Sequence, residues 1–177
     1  MKILGIDPGI GTIGFGLVEV IPSKSEVKAS RVNATTWGVI KTTPKEDHAT
    51  RLEELYNDLT QLLQTLAPDV IALEKLFYFR NVTTMLPVSQ ARGVILLAIK
   101  QNKIPVFEYT PLQIKQIITG YGKASKGEIQ TTLVQLLQLN KRPTPDDAAD
   151  GLALALCYHQ TEGQLNRLNS LNASQKS

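Results

Sequence analysis

The chain has 177 residues, 42% of them hydrophobic and 20% charged, as is usual for a globular protein with one core-bearing domain. Its formal net charge of +3 is too small to mark the whole chain as a polycation. No run approaches the ~18 consecutive apolar residues of a membrane span, and the single cysteine, Cys157, excludes an intrachain disulfide and a thiolate metal cage. The N-terminus lacks the apolar region of a signal peptide, so we expect a cytoplasmic protein without a membrane segment.

An apolar strand that ends in a carboxylate opens the chain. Residues 2–6 are mostly apolar, and Asp7 follows them directly. Pro8 and three glycines, of which Gly14 is the last, are typical of a tight reversal, and residues 15–20 are again strand-forming. We therefore predict a hairpin with Asp7 at the C-terminal end of its first strand. A carboxylate held there on rigid backbone needs a partner cation or a catalytic role.

The next segments predict two more strands and a helix. Residues 32–41 are rich in β-branched residues and are predicted to pair antiparallel to the second strand. Leucines at helical spacing predict a helix over residues 48–66. Residues 69–74 form a short, almost wholly apolar run that ends in Glu74. Such a run is typical of a strand that is buried on both faces, as in a parallel sheet.

Helices dominate the second half of the chain. Residues 80–100 are predicted to be helical in their second half, and residues 105–108 to form a fifth strand. Thr110 before a proline, and Ser125 three residues before Glu128, are capping signals that each begin a helix.

A similar capping signal at residues 144–147 begins a last helix, predicted to end near His159. Residues 161–177 are polar and predicted to be a disordered tail. Together the elements predict one α/β domain over residues 1–160, with a mixed five-stranded sheet flanked by helices.

Four carboxylates are predicted to meet at one edge of this sheet. Asp7 and Glu74 both end central strands, and parallel neighbours would place them at the same edge. Asp147 and Asp150 are three residues apart near the start of the last helix, so they share a face. Four converging carboxylates repel one another unless a counterion is present. Hard divalent cations such as Mg²⁺ prefer oxygen ligands, and two of them about 4 Å apart can promote phosphodiester hydrolysis.

Each of these acids also has a structural interpretation. Asp7 could cap a turn, and Glu74 could form a surface ion pair with Lys75. Asp147 lies where acids stabilise a helix through its dipole. Asp150 is harder to explain in this way, because small residues on both sides leave it exposed and would let the helix approach the sheet closely.

The lysines and arginines are concentrated in the middle of the chain. Residues 75–142 hold ten of them against two acids, a net charge of +8. Residues 1–74 have a net charge of −3 and residues 143–177 of −2. A basic segment flanked by acidic ones predicts a polyanion-binding surface beside an acidic site, although a solvated lysine-rich face is the alternative.

Five motifs together resemble the RuvC family of Holliday-junction resolvases, in order, over residues 1–158. They are GIDPG at 5–9, ALEKLF at 72–77, QARG at 90–93, PVFEYTP at 105–111 and DDAADGLALAL at 146–156. The resemblance implies a ribonuclease-H-like fold and a homodimer that nicks two opposed strands of a four-way DNA junction in recombination and repair. It also implies two Mg²⁺ ions per site, with Mn²⁺ as a possible substitute, and a branch-migration complex of RuvA and RuvB as partner.

The resemblance assigns roles to acidic residues. Asp7, Glu74, Asp147 and Asp150 fall on the family's four catalytic, metal-binding positions. Asp146 is an extra acid without a role in the family.

It also assigns residues that contact DNA. Phe77 matches an aromatic residue that stacks on a base near the junction centre. Lys115 and Lys126 match basic positions near the active site, and Arg80 and Lys123 are candidate phosphate contacts. The apolar second half of the 80–100 helix is the candidate dimer interface.

Three other functions compete with this interpretation. Gly9, Gly11 and Gly14 match a dinucleotide-binding fingerprint, but that motif needs a helix after it and strand-forming residues follow here. An actin-like or sugar-kinase ATPase also begins with a strand, an aspartate and a glycine turn, but needs two such domains. A basic DNA-binding module with structural acids is the third. Divalent-dependent cleavage distinguishes a resolvase from the DNA-binding module, and ATP binding identifies the ATPase.

Overall fold

Five strands form a mixed sheet in the computed structural model, which describes residues 1–22, 31–76 and 82–174, without the side chains of 82–85 and 163–174. The strands are Lys2–Asp7 (β1), Thr12–Ile21 (β2), Arg31–Lys41 (β3), Val70–Glu74 (β4) and Val106–Tyr109 (β5). The helices are His48–Leu66 (α1), Val82–Gln101 (α2), Pro111–Thr119 (α3), Lys126–Leu136 (α4) and Asp146–Ser174 (α5). The predicted mixed five-stranded α/β fold is confirmed.

The sheet has the strand order β3-β2-β1-β4-β5. Strands β1, β2 and β3 are antiparallel neighbours, whereas β4 runs parallel to β1 and to β5. Ile6 pairs with Leu73, so the residues that follow them, Asp7 and Glu74, leave the sheet side by side. The predicted juxtaposition of the two strand ends is thus confirmed.

Helices cover both faces of the sheet, because alternate side chains of each strand point to opposite sides. On one face, Leu4, Ile6 and Leu73 pack in a core with residues of α1 and α2. On the other face, Ile3 and Ala72 pack in a core with residues of α3, α4 and α5. The capping signals act as predicted: Thr110 and Ser125 each form a capping box at the start of a helix.

Helix α5 lies unusually close to β1 and β2. A Cβ atom on Gly5 would lie 1.9 Å from the main-chain oxygen of Gly151, and one on Gly16 would lie 2.5 Å from the nitrogen of Leu152. A Cβ on Gly14 would lie 1.9 Å from the main-chain oxygen of Asp147. Any side chain at these glycines would therefore push the helix away from the sheet.

The predicted role of Gly14 as a turn residue is wrong. Gly14 lies within β2 and pairs with Asp7, and the turn itself is made by residues 8–11. A glycine is required at position 14 because α5 contacts β2 there, and not because the chain reverses direction.

Helix α5 is also longer than predicted, since it continues through Ser174 and does not end near His159. No proline interrupts residues 146–174, and Leu165, Leu168 and Leu171 recur at helical spacing. Once a helix is nucleated, each further residue adds a hydrogen bond. The division of the chain at residue 160 into a domain and a tail stays a prediction.

The apolar half of α2 is used largely within the chain. Ala91, Ile95, Ala98 and Ile99 are fully buried in the core that α1 shares. These four residues are therefore not free to form an interface, and the rest of the predicted interface on this helix stays a prediction. Among the α2 side chains that the structure describes, Leu86 and Leu97 are the large apolar ones that are exposed.

None of the helices in the described part of the chain is long and apolar enough to span a membrane.

Candidate active site

The carboxyl groups of Asp7 and Glu74 contact each other at the C-terminal ends of β1 and β4. Burial raises the pKa of Asp7 to about 8, and the contact with Glu74 and the charges of the neighbouring acids act in the same direction. Burial also raises the pKa of Glu74, while its hydrogen bond with Asp7 opposes the shift. The two raised pKa values mean that these adjacent carboxyl groups do not both ionise readily unless a cation binds beside them.

Asp147 and Asp150 complete the acidic cluster from the first turns of α5. One carboxylate oxygen from each of Asp7, Asp147 and Asp150 lies within 4.8 Å of the others. Burial raises the pKa of Asp150, although its hydrogen bond with Lys126 acts against that shift. Three of the four predicted acids thus converge, with Glu74 next to Asp7, because the strand ends and the helix start meet at one edge of the sheet.

The turn that carries Asp7 into β2 is tied to α1. The hydroxyl of Thr42 donates to the main-chain oxygen of Ile10 at 2.7 Å. Arg51 of α1 donates from Nε to the Thr42 hydroxyl at 3.0 Å and from Nη2 to the same Ile10 oxygen at 3.3 Å. The turn beside the acids is therefore fixed by a buried threonine and a cation, which sequence reasoning missed.

Asp7, Glu74 and Asp150 line a cleft of about 290 Å³ between the sheet edge and helices α3, α4 and α5. Its other lining residues are Pro111, Ile114, Lys115, Lys126, Ile129 and Leu154. One wall is therefore apolar, and two ammonium groups stand at the rim beside the carboxylates.

Lys126 is paired with an acid of the cluster. Its Nζ donates to Oδ2 of Asp150 at 2.9 Å and lies 3.9 Å from Oδ2 of Asp146. Burial lowers the pKa of Lys126, but its hydrogen bond with Asp150 and the charges of the nearby acids raise it by more, so the net shift is upward. The lysine therefore stays protonated at neutral pH. One ammonium cannot neutralise four carboxylates, which is consistent with the raised pKa values of Asp7, Glu74 and Asp150.

The donor set fits a hard divalent cation. All four groups offer carboxylate oxygens, and neither a cysteine nor a histidine belongs to the cluster. Oxygen donors with several negative charges are the usual ligands of Mg²⁺. A divalent cation beside Lys126 would relieve the repulsion between the carboxylates that raises these pKa values.

Of the remaining predicted DNA contacts, Lys123 is the one that lies in the described part of the chain. Lys123 is exposed in the loop between α3 and α4 and does not line the cleft. Phe77 and Arg80 lie outside the described residues, so their predicted roles stay predictions.

A second feature that the sequence analysis did not predict is a contact of Asp146 with α4. The amide Nε2 of Gln130 donates to Oδ1 of Asp146 at 2.9 Å, and Gln130 is buried. The spacing of Lys126 and Gln130 on α4, four residues apart, matches that of Asp146 and Asp150 on α5, but only the packed structure shows that they face each other.

Comparisons with known proteins agree with this geometry. The family model described as "Crossover junction endodeoxyribonuclease RuvC" matches residues 3–158. Proteins of that name from Petrotoga mobilis and Thermomicrobium roseum are 50% and 48% identical to this chain. The first alignment covers 89% of this chain and 93% of the relative, and the second covers 90% and 93%.

Solved structures give the same result. The RuvC structure from Thermus thermophilus superposes with a TM-score of 0.82 at 31% identity, over 93% of this chain and 96% of that one. The same protein in complex with Holliday junction substrate gives 0.80 at 28% identity, with the same coverage. A yeast mitochondrial Holliday junction resolvase, at 20% identity and a TM-score of 0.69, shares the fold. The ribonuclease-H-like fold is therefore confirmed.

Proposed function

This chain belongs to the RuvC family of crossover junction endodeoxyribonucleases and resolves four-way DNA junctions, and we propose that Asp7, Glu74, Asp147 and Asp150 hold two Mg²⁺ ions for that reaction. The observation that carries the proposal is the approach of oxygens from Asp7, Asp147 and Asp150 to within 4.8 Å of one another. Glu74 joins them through its contact with Asp7. Mn²⁺ is expected to substitute, because it accepts the same oxygen donors.

Ions held there would activate a water molecule and stabilise the leaving oxygen of a phosphodiester. The protein's own residues do the rest. Lys115 and Lys126 at the rim are positioned to attract the phosphate and orient it toward the acids. Ile114, Ile129 and Leu154 form the apolar wall, which limits the water around the charged groups and strengthens their interactions.

DNA is proposed to approach the basic side of the cleft. Lys123 in the exposed loop between α3 and α4 would contact a phosphate beyond the cleft. Arg80 would add a second phosphate contact, and Phe77 would stack on a base near the junction centre. A stacking contact of this kind contributes about 1–3 kcal/mol per base.

A homodimer is proposed because a four-way junction presents two equivalent strands and each chain has one such cleft. Leu86 and Leu97 are 62% and 52% exposed on α2, and Gly93 between them has open space beside it. These residues are spaced by seven and four, so they lie on one face of the helix. This exposed face, which includes part of the predicted second half of the helix, is the candidate interface. The RuvA and RuvB branch-migration proteins are proposed partners, and a cytoplasmic location follows from such a role.

The experiment that tests this function compares a mobile four-way junction with a linear duplex of the same sequence, each with Mg²⁺ or with EDTA. We expect paired nicks in the junction with Mg²⁺ and no cleavage in EDTA. The duplex should be cut far more slowly. Equal cleavage of both substrates, or cleavage of the junction in EDTA, would contradict the proposal.

A further inference from the structure

Helices α4 and α5 face each other through two matched polar contacts beside the acidic cluster. Lys126 of α4 donates to Asp150 of α5 at 2.9 Å, and Gln130 of α4 donates to Asp146 of α5 at 2.9 Å. Residues four apart lie on the same face of a helix, so both contacts belong to one interface. One contact includes an acid of the proposed metal site, and the other includes an acid outside it.

The carboxylate of Asp146 is oriented by α4. Its Oδ1 accepts the hydrogen bond from the buried amide of Gln130, which turns Oδ2 toward Lys126. The ammonium Nζ lies 3.9 Å from this Oδ2 and 2.9 Å from Oδ2 of Asp150. Lys126 therefore has two carboxylates within reach. The second, Asp146, is oriented by its hydrogen bond with Gln130 and is not a ligand of the proposed metal site.

We propose that Asp146 is a positioning residue that receives the Lys126 ammonium from Asp150 when a divalent cation binds to Asp150. This inference rests on the proposed metal site. A cation that takes Asp150 as a ligand must compete with Lys126 for the same carboxylate. A second acceptor within 3.9 Å lowers the cost of that exchange and keeps the ammonium at the rim of the cleft, where a phosphate would be bound.

The effect is expected to be modest, because the side chains of Lys126 and Asp146 are 49% and 66% exposed. Exposed ion pairs contribute little, so loss of the Asp146 charge should weaken Mg²⁺ binding only about threefold through this route. Asp146→Asn is a nearly isosteric test. Its amide oxygen can still accept from Gln130, but the NH2 that replaces Oδ2 cannot accept a hydrogen bond from Lys126.

The long-range attraction between Asp146 and a cation must be separated from the exchange, since removing any nearby negative charge weakens the binding of a cation. A double-mutant cycle makes this separation. The four proteins are the parent, Asp146→Asn, Lys126→Met and the double variant. The measurement, without DNA, is the Mg²⁺ concentration that gives half of the full rise in melting temperature. Asp58→Asn, which removes an exposed acid on α1, is the matched control.

We expect Asp146→Asn to raise the required Mg²⁺ concentration about threefold more in the parent than in the Lys126→Met background. Lys126→Met alone should lower that concentration, because the competing ammonium is gone. Equal effects of Asp146→Asn in both backgrounds would show that Asp146 acts only through its long-range charge, and would overturn the inference while leaving the metal site intact. A parent protein whose melting temperature does not respond to Mg²⁺, and which cleaves in EDTA, would instead overturn the proposed metal site and this inference with it.

Discussion

The main-chain oxygen of Asp147 lies 1.9 Å from the point where a Cβ atom on Gly14 would be, so the start of α5 touches β2 through a glycine. Gly14 pairs with Asp7 across the sheet. The absence of one side chain therefore sets the separation of two acids that come from opposite ends of the sequence.

Gly14→Ala should disturb the acidic cluster, because the added methyl group must displace α5. Overpacking of this kind costs about 1–3 kcal/mol of the free energy of unfolding, and a displacement of about 1 Å at a reacting group can lower a rate about a hundredfold. We expect a lower melting temperature and severely reduced junction cleavage. Gly127→Ala is the control, since a Cβ there meets nothing within 4 Å. Parent-like cleavage by Gly14→Ala would show that this contact does not position Asp147.

Asp7→Asn should abolish cleavage, retain junction binding and change the pH dependence of stability. The pKa of Asp7 is raised in the folded protein, to about 8, so protonation of this group stabilises the fold. That stabilisation is complete below the unfolded pKa of about 4 and is lost as the pH rises through about 8. Without divalent ions, the melting temperature of the variant should therefore increase relative to that of the parent as the pH rises through this range.

Thermal melts of both proteins from about pH 4 to pH 8 measure this difference, which can reach about 1.4 kcal/mol per pH unit. Mg²⁺ should stabilise the parent more than the variant, because the variant lacks one ligand. Asp58→Asn, at an exposed position, should show neither effect. If Asp7 only caps a turn, Asp7→Asn will instead be less stable at every pH and will still cut junctions.

Lys115→Ala and Lys126→Ala should lower the rate of junction cleavage, because both lysines line the cleft that holds the acids. Lys123→Ala should mainly weaken binding, since Lys123 is exposed outside the cleft. Loss of one phosphate contact reduces the dependence of binding on salt by about one unit of slope. Binding titrations at several salt concentrations and single-turnover cleavage rates separate the two effects. If both cleft variants cleave as fast as the parent, Lys115 and Lys126 are solvated surface residues without a role in cleavage.

Leu97→Glu should dissociate the proposed dimer, because it places a charge in the exposed apolar face of α2. Sedimentation at micromolar concentration should show a monomer, and paired nicking should become independent single nicks. Leu136→Glu on α4, where the parent leucine is 43% exposed, is the control for adding a surface charge. A parent protein that is monomeric and still makes paired nicks would exclude this interface.

Much of the site was predictable because it depends on strand ends. An apolar run followed by an acid locates Asp7 and Glu74, and the parallel sheet brings them together. The true role of Gly14 was not predictable, because a glycine in a strand looks the same whether it serves a turn or a helix contact. The pairing of Gln130 with Asp146 depends on the packing of two helices, which helical spacing alone does not specify. The end of α5 was not predictable, because a polar composition does not distinguish a solvated helix from a disordered tail.

Crystals of the protein with Mn²⁺ and an uncleavable four-way junction test the central claim most directly. Anomalous scattering from manganese locates the ions without reference to the protein's side chains. We expect two peaks about 4 Å apart, bound by carboxylate oxygens of Asp7, Glu74, Asp147 and Asp150 and next to one DNA phosphate. Anomalous peaks away from these four acids, with the scissile phosphate bound elsewhere on the protein, would contradict the account.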